Sequence, residues 1–200
     1  MFRKKESSPP PRLIIGLGNP GEAYARTRHN VGFDAIDVLS EKNGIKLKMN
    51  RRFRAIIGEG RMGTEMVLLV KPQTYMNLSG ESVLSLVKYY KIPPTQIVVM
   101  YDDVALPLGA IRVRERGSAG GQKGMVNIIA RLGTNEFTRI RMGVGEKPEH
   151  WNLADYVLSS FTKNERETMD AAIIRAADAA SMLLTEGTLA TMNIFNQRTS

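Results

Sequence analysis

The 200-residue sequence has no cysteine and only two histidines. Without cysteine, disulfides, a thiolate nucleophile and sulfur-bound metals are all excluded. The two histidines have no Glu or Cys at ligand spacing, so we expect no metal site. No apolar run approaches the roughly 18 residues of a membrane span, which excludes a membrane protein. The absence of cysteine is also typical of a reducing compartment, so we expect a cytoplasmic protein.

Positive charge is in excess, with 28 Lys and Arg against 20 Asp and Glu and a net charge of +8. Residues 1–12 carry +3 of this charge and the remainder of the chain carries +5. A basic body indicates a polyanionic partner such as nucleic acid, although a basic protein without such a partner fits equally well. The Ser-Pro-Pro-Pro run predicts a disordered basic leader over residues 1–11, followed by one domain over 12–200.

Apolar runs and helical patterns alternate along this domain. The predicted strands cover residues 13–17, 53–60, 65–70, 96–101, 110–116 and 138–144, with a further candidate at 45–49. The predicted helices cover residues 33–42, 82–90, 126–132, 164–186 and 188–195. This order predicts an α/β fold, a single-domain three-layer α/β/α arrangement with a mixed, mostly parallel central sheet. Ligands of such folds bind at the carboxyl ends of the strands.

Gly16, Gly18 and Gly21 have the G-x-G-x-x-G spacing of a dinucleotide-binding turn. The helix that should follow such a turn is not indicated, because the residues after Gly21 are polar and lack apolar residues at helical spacing. The next candidate strand is also not followed by the acidic residue that would bind a ribose. We therefore expect no cofactor, although a nucleotide-dependent oxidoreductase stays an alternative.

His29 is a candidate general base, since an imidazole exchanges protons near neutral pH. Asp102 follows an apolar strand and is placed to orient one ring nitrogen. The alternatives are a solvated loop histidine and an aspartate that caps a turn. No Ser-His or Cys-His arrangement is apparent, so water is the expected nucleophile of an enzyme.

Two asparagines, Asn19 and Asn77, also follow predicted strands. Their amides could orient a substrate carbonyl or a water, although Asn77 could equally cap a helix. Tyr75 and Met76 belong either to the core or to an apolar wall for a nucleobase or a peptide.

A basic segment runs from residue 111 to residue 125. Strand periodicity places Arg112, Arg114 and Arg116 on one face, and Arg139 and Arg141 add charge on the following strand. The loop GSAGGQKG leads into a helix, whose N-terminus favours anions. The segment predicts contact with phosphate or RNA, and a solvated face is the alternative.

Together these motifs resemble the bacterial-type peptidyl-tRNA hydrolases. The resemblance is carried by LIIGLGNPGEAYARTRHNVGF, VKPQTYMNLSG, VMYDDVALPLG, RGSAGGQKGM, FTRIRMGVG and GTLATMNIFN, which span nearly everything after the leader. It implies hydrolysis of the ester between a peptide and the 3′ adenosine of tRNA. It further implies no metal or cofactor, peptidyl-tRNA as partner, no membrane, no obligatory protein partner and a monomer.

The resemblance also assigns roles to individual residues. It implies that His29 is the base, that Asp102 holds it and that Asn19 contacts the substrate near the ester. The residues implied to bind the peptide, the 3′ end and the tRNA 5′-phosphate region are Tyr24, Tyr75, Met76, Asn77, Lys123, Arg114 and Arg141.

Three positions depart from the family pattern. Gln122 and Lys123 stand where the family commonly has His-Asn, and Ala105 replaces an acidic residue. Lys123 can reach a phosphate or a carbonyl but cannot accept a hydrogen bond. A non-catalytic RNA-binding protein on the same fold is therefore the alternative function.

Overall fold

The computed structural model describes residues 9–197, so most of the predicted disordered leader, residues 1–8, lies outside the described part. The strands are β1 Arg12–Gly16, β2 Lys48–Asn50, β3 Ala55–Met62, β4 Glu65–Pro72, β5 Ile97–Asp103, β6 Ile111–Arg114 and β7 Thr138–Gly143. The helices are α1 Val31–Asn43, α2 Ser79–Tyr90, α3 Lys123–Leu132, α4 Leu153–Leu158, α5 Lys163–Thr185 and α6 Gly187–Phe195.

The strands form one seven-stranded sheet in the order β2-β3-β4-β1-β5-β7-β6. Its four central strands, β4, β1, β5 and β7, are parallel. The β2-β3, β3-β4 and β6-β7 pairs are antiparallel. The mixed sheet is therefore confirmed, with parallel pairing confined to its centre.

Helices cover both faces of this sheet, as the three-layer prediction requires. The core on one face joins α1 and α5 to residues such as Ile14 and Met100. The core on the other face joins α2 and α3 to Leu13 and Ile15. Alternate residues of β1 thus enter opposite cores, which explains its continuous apolar sequence.

The glycine motif brings helix α1 against strand β1. A Cβ on Gly16 would lie 2.0 Å from the carbonyl oxygen of Gly32, and a Cβ on Gly18 would lie 2.7 Å from the ring of Phe33. Glycine at these positions therefore permits helix packing.

Several predicted boundaries differ from the structure. Helix α3 begins at Lys123, about one turn before the predicted start, because the side chain of Gln122 caps it. Helix α4 was not predicted, since its six residues are too few to show a period. Strand β6 ends at Arg114, earlier than predicted, and the chain then bends away from the sheet.

Candidate functional site

The residues predicted at the strand ends meet at the carboxyl edge of β1, β4 and β5, around a cavity of about 440 Å³. Its lining includes Asn19, His29, Tyr75, Met76, Asn77, Asp102, Gln122, Lys123, Leu153 and Val157. Most of the predicted catalytic and substrate residues are therefore neighbours in space, which the strand-end rule anticipated.

The His29–Asp102 pair lies at this cavity. His29 sits on a short 3-10 helix, Arg28–Asn30, and Asp102 on strand β5. The His29 Nδ1 atom is 2.8 Å from Asp102 Oδ2, and the two residues are 8% and 3% exposed. Because a carboxylate only accepts hydrogen bonds, Nδ1 carries the proton and Nε2 is left as the basic atom.

Arg28 anchors the helical turn that carries His29, a role that the sequence did not reveal. Its Nη2 donates to Glu165 Oε1 at 2.8 Å and its Nη1 donates to the carbonyl of Ser160 at 2.9 Å. The guanidinium carbon lies 4.6 Å from the ring centroid of Tyr156 and 4.5 Å from that of Phe161. This buried arginine thus ties the turn before His29 to α4 and α5.

The Asn19 amide has a fixed orientation. Its Oδ1 accepts a hydrogen bond from the backbone N–H of Met76 at 2.8 Å. Its backbone N–H and carbonyl pair with the side chain of Asn30 at 2.8 and 2.9 Å. Within residues 9–197 no group accepts from Asn19 Nδ2, so the cavity is offered a donor only.

Asn77 does not cap helix α2, although capping was its alternative role. The backbone N–H of Gly80, in the first turn, is instead bonded to Asn127 Oδ1 at 2.7 Å. Asn77 is exposed and lines the cavity, so its amide is free to meet a ligand.

Two of the predicted apolar contacts differ in exposure. Tyr75 is 54% exposed and has a positive φ of 58°. Its ring packs edge-on against Tyr24, with centroids 6.3 Å apart. Met76 belongs to the core and also lines the cavity, and its contact with a nucleobase or a peptide stays a prediction.

Gln122 and Lys123 stand at the start of α3. Gln122 Oε1 accepts from the backbone N–H of Met125 at 2.8 Å, and its Nε2 donates to Asp102 Oδ1 at 3.0 Å. The sequence had suggested only a departure from the family pattern here. Lys123 is exposed at the rim of the cavity, where its ammonium adds to the positive end of the helix.

The predicted basic face is less positive than its sequence indicates. Arg112 pairs with Arg141 in register, and Arg114 with Arg139, so these four side chains share a face. Arg139 is 1% exposed and donates to backbone carbonyls that include Gly117 and Asn135, which corrects its expected role as a phosphate contact. Arg141 is bonded to Asp103, whereas Arg114 is exposed.

No group of three or more His, Asp or Glu side chains within residues 9–197 is arranged to hold a metal ion. None of the helices in this part of the chain is long and apolar enough to cross a membrane.

The comparisons with known proteins agree with each other. The family model for peptidyl-tRNA hydrolase matches residues 13–200. The peptidyl-tRNA hydrolase of Lachnoclostridium phytofermentans is 50% identical over 186 residues, covering 93% of this chain and 97% of the relative. That of Brevibacillus brevis is 52% identical over 185 residues, covering 92% and 97%.

Solved structures give the same result. A crystal structure of peptidyl-tRNA hydrolase from Acinetobacter baumannii is 38% identical, with a TM-score of 0.88 over 93% of this chain and 94% of the other. A methylthioadenosine nucleosidase of Arabidopsis thaliana, 10% identical with a TM-score of 0.52, shares only the fold. The chain belongs to the peptidyl-tRNA hydrolase family.

Proposed function

We propose that this protein hydrolyses the ester between a peptide, or an N-blocked aminoacyl group, and the 3′ adenosine of tRNA. It thereby recycles tRNA from peptidyl-tRNA released by ribosomes. Family membership and relatives about 50% identical over almost the whole chain support this reaction. The observation that carries the mechanism is the buried His29–Asp102 pair beside a cavity lined with free amides.

In this mechanism His29 Nε2 removes a proton from water, and the resulting hydroxide attacks the ester carbonyl. Asp102 stabilises the imidazolium that forms and keeps Nδ1 protonated. The imidazolium then gives its proton to the departing 3′ oxygen of the adenosine. The Asn77 amide is a donor for the tetrahedral oxyanion, a contact whose strength grows as negative charge develops.

The orientation of Asn19 supports a preference for N-blocked substrates. Because Asn19 Oδ1 is already bonded to Met76, the side chain presents only the Nδ2 donor to the cavity. The carbonyl of a peptide or acetyl group can accept from that donor. A free α-ammonium group has only donors to offer and would be left without a partner there.

Basic side chains at the rim of the cavity and on the β6–β7 face support tRNA binding. We assign Lys123, at the rim, to a phosphate near the 3′ end, and the exposed Arg114 to the 5′-phosphate region. Arg141 lies on the same face of the sheet as Arg114 and is bonded to Asp103, and we assign it to the same region. Tyr24 and Tyr75 offer ring faces and edges to a base or a peptide side chain.

The remaining features of the proposal concern the whole chain. All catalytic groups named here come from one chain, so the reaction requires no protein partner and a monomer suffices. Residues 12–200 are proposed to form the single catalytic domain. The absence of cysteine and the ribosomal origin of the substrate support a cytoplasmic location.

The test is release of a labelled N-acetyl-aminoacyl group from tRNA, with unblocked aminoacyl-tRNA as the control substrate. His29→Ala is expected to lower kcat by about 10²–10⁴. His150→Ala removes the other histidine, which is exposed, and is the matched control. Selective release that His29→Ala abolishes supports both the reaction and the base. Salt-sensitive binding of tRNA without release of the aminoacyl group would indicate the non-catalytic RNA-binding alternative. Near-normal turnover of His29→Ala would refute the assignment of His29 as the base.

A further inference from the structure

The buried carboxylate of Asp102 has a partner on each of its oxygens. Oδ2 faces His29 Nδ1 at 2.8 Å, and Oδ1 accepts from Gln122 Nε2 at 3.0 Å. Asp102 is 3% exposed, so water has little access to take either place. Two bonds to opposite oxygens define the plane of a carboxylate, whereas one bond leaves it free to rotate.

Gln122 is itself held in one orientation. Its Oε1 accepts from the backbone N–H of Met125, at 2.8 Å, as the N-cap of α3. Since this N–H can only donate, the amide oxygen must face the helix, and the NH₂ group must face Asp102. The same Nε2 lies 3.1 Å from the sulfur of Met76, so the amide also contacts the cavity wall.

We propose that Gln122 is a positioning residue of the hydrolytic site, in addition to the His29–Asp102 pair. Its amide fixes the plane of the Asp102 carboxylate, so that Oδ2 points at His29 Nδ1 and Nε2 points at the cavity. Helix α3 thereby takes part in orienting the base. This role rests on the proposed hydrolysis.

An amide differs in chemistry from the histidine that the family commonly has at this position. Glutamine does not ionise, so its bond to Asp102 is the same at every pH at which the enzyme works. An imidazole there would exchange protons near neutral pH, so its bond to Asp102 would change with pH. The other charged groups around the pair are Arg28 with Glu165, Arg141 with Asp103, and Lys123.

Gln122→Glu is the most direct test, because it keeps size and the capping oxygen. It replaces the donor that faces Asp102 with a second carboxylate. We expect kcat to fall by about 10-fold or more, while KM changes less than about twofold, as for a lost transition-state contact. The added negative charge favours the imidazolium form of His29, so the acidic limb of the pH–kcat profile moves to higher pH.

Two further variants separate positioning from other effects. Gln122→Thr retains a capping hydroxyl but is too short to reach Asp102, so it tests the lost donor without the lost cap. Gln73→Glu makes the same chemical change after strand β4, where the side chain of Gln73 donates only to the carbonyl of Lys71. We expect Gln122→Thr to lower kcat in the same way and Gln73→Glu to leave the pH profile unchanged.

The titration of the His29 ring protons by NMR gives a readout that does not need substrate. The chain has two histidines, and His150→Ala assigns their signals. A higher midpoint for His29 in Gln122→Glu, together with the fall in kcat, supports the proposal. The proposal would be overturned if both Gln122 variants kept the wild-type kcat and the wild-type midpoint of the His29 titration. It would also be overturned if the loss of kcat equalled the fraction of enzyme that is unfolded. Failure of the wild type to release peptide would refute the proposed hydrolysis instead. The His29 titration would still report on the hydrogen bond between Gln122 and Asp102.

Discussion

Substitution of Asn19 by aspartate should shift the substrate preference away from blocked and toward free aminoacyl groups. In the structure Oδ1 of Asn19 accepts from Met76 N–H, and Nδ2 faces the cavity. Aspartate can keep the first bond with one oxygen. The other oxygen then replaces the donor with a negatively charged acceptor, without a change in side-chain size.

The magnitude follows from the bonds lost and gained. An N-blocked substrate loses a hydrogen bond worth about 1 kcal/mol and faces an unmatched acceptor, whereas a free α-ammonium gains a charged bond worth about 1.5–3 kcal/mol. The combined change in relative transition-state stability is about 3 kcal/mol, and each 1.4 kcal/mol is about tenfold. The ratio of kcat/KM for blocked over free substrates should therefore fall by about a hundredfold.

The assay compares N-acetyl-aminoacyl-tRNA and aminoacyl-tRNA at equal concentrations, with the wild type and Asn19→Asp measured side by side. Asn164→Asp, an exposed position in the first turn of α5, introduces the same change away from the cavity and is the control. If Asn19→Asp slowed both substrates equally, the reasoning that Asn19 offers only a donor to the substrate would be refuted.

Two further predictions concern charge. Arg114→Ala should raise KM for tRNA substrates and leave kcat unchanged. Because one phosphate contact is lost, the slope of log KM against log salt concentration should also fall by about 1. An unaltered slope would show that Arg114 does not contact the tRNA. Partial burial acts to raise the pKa of Glu165, but hydrogen bonds from Thr162 and the Arg28 guanidinium outweigh it and hold this pKa below its ordinary value of 4.5. The stabilisation is therefore complete above about pH 4.5 and lost as pH falls through the lower folded-state pKa. The urea midpoints of the wild type and Glu165→Gln should differ at pH 7 and converge in acid, and a constant difference would contradict this linkage.

The sequence predicted the position of Asp102 because it follows from the fold class. Apolar strands such as β1 and β5 are recognised from continuous hydrophobic residues, and parallel strands place their carboxyl ends at one edge. The rule placed Asp102 at this edge, whereas His29, 73 positions away in the sequence, was recognised by its chemistry and by the family motif around it. Their roles in catalysis stay predictions until they are tested.

The contacts around the pair depend on details that periodicity does not carry. Arg28 reads as a solvated residue in a polar loop, but two aromatic rings from distant parts of the chain enclose it. Strand alternation placed Arg139 on the correct face. The loop carbonyls that cover it come from Gly117, Ser118 and Asn135, and no local pattern predicts that they do.

The glycine motif can serve either a dinucleotide-binding turn or the close packing of a helix against a strand. Both require residues without a Cβ directly after the strand. Here Gly32 and Phe33 of α1 lie against Gly16 and Gly18, where a Cβ would clash, and the chain then continues into the segment between Gly18 and Gly21. Asn19 lies in that segment, and its bonds to Asn30 and Met76 hold it beside His29. The glycines therefore contribute to the proposed reaction by packing, since they bring the amide and the base to the same strand end.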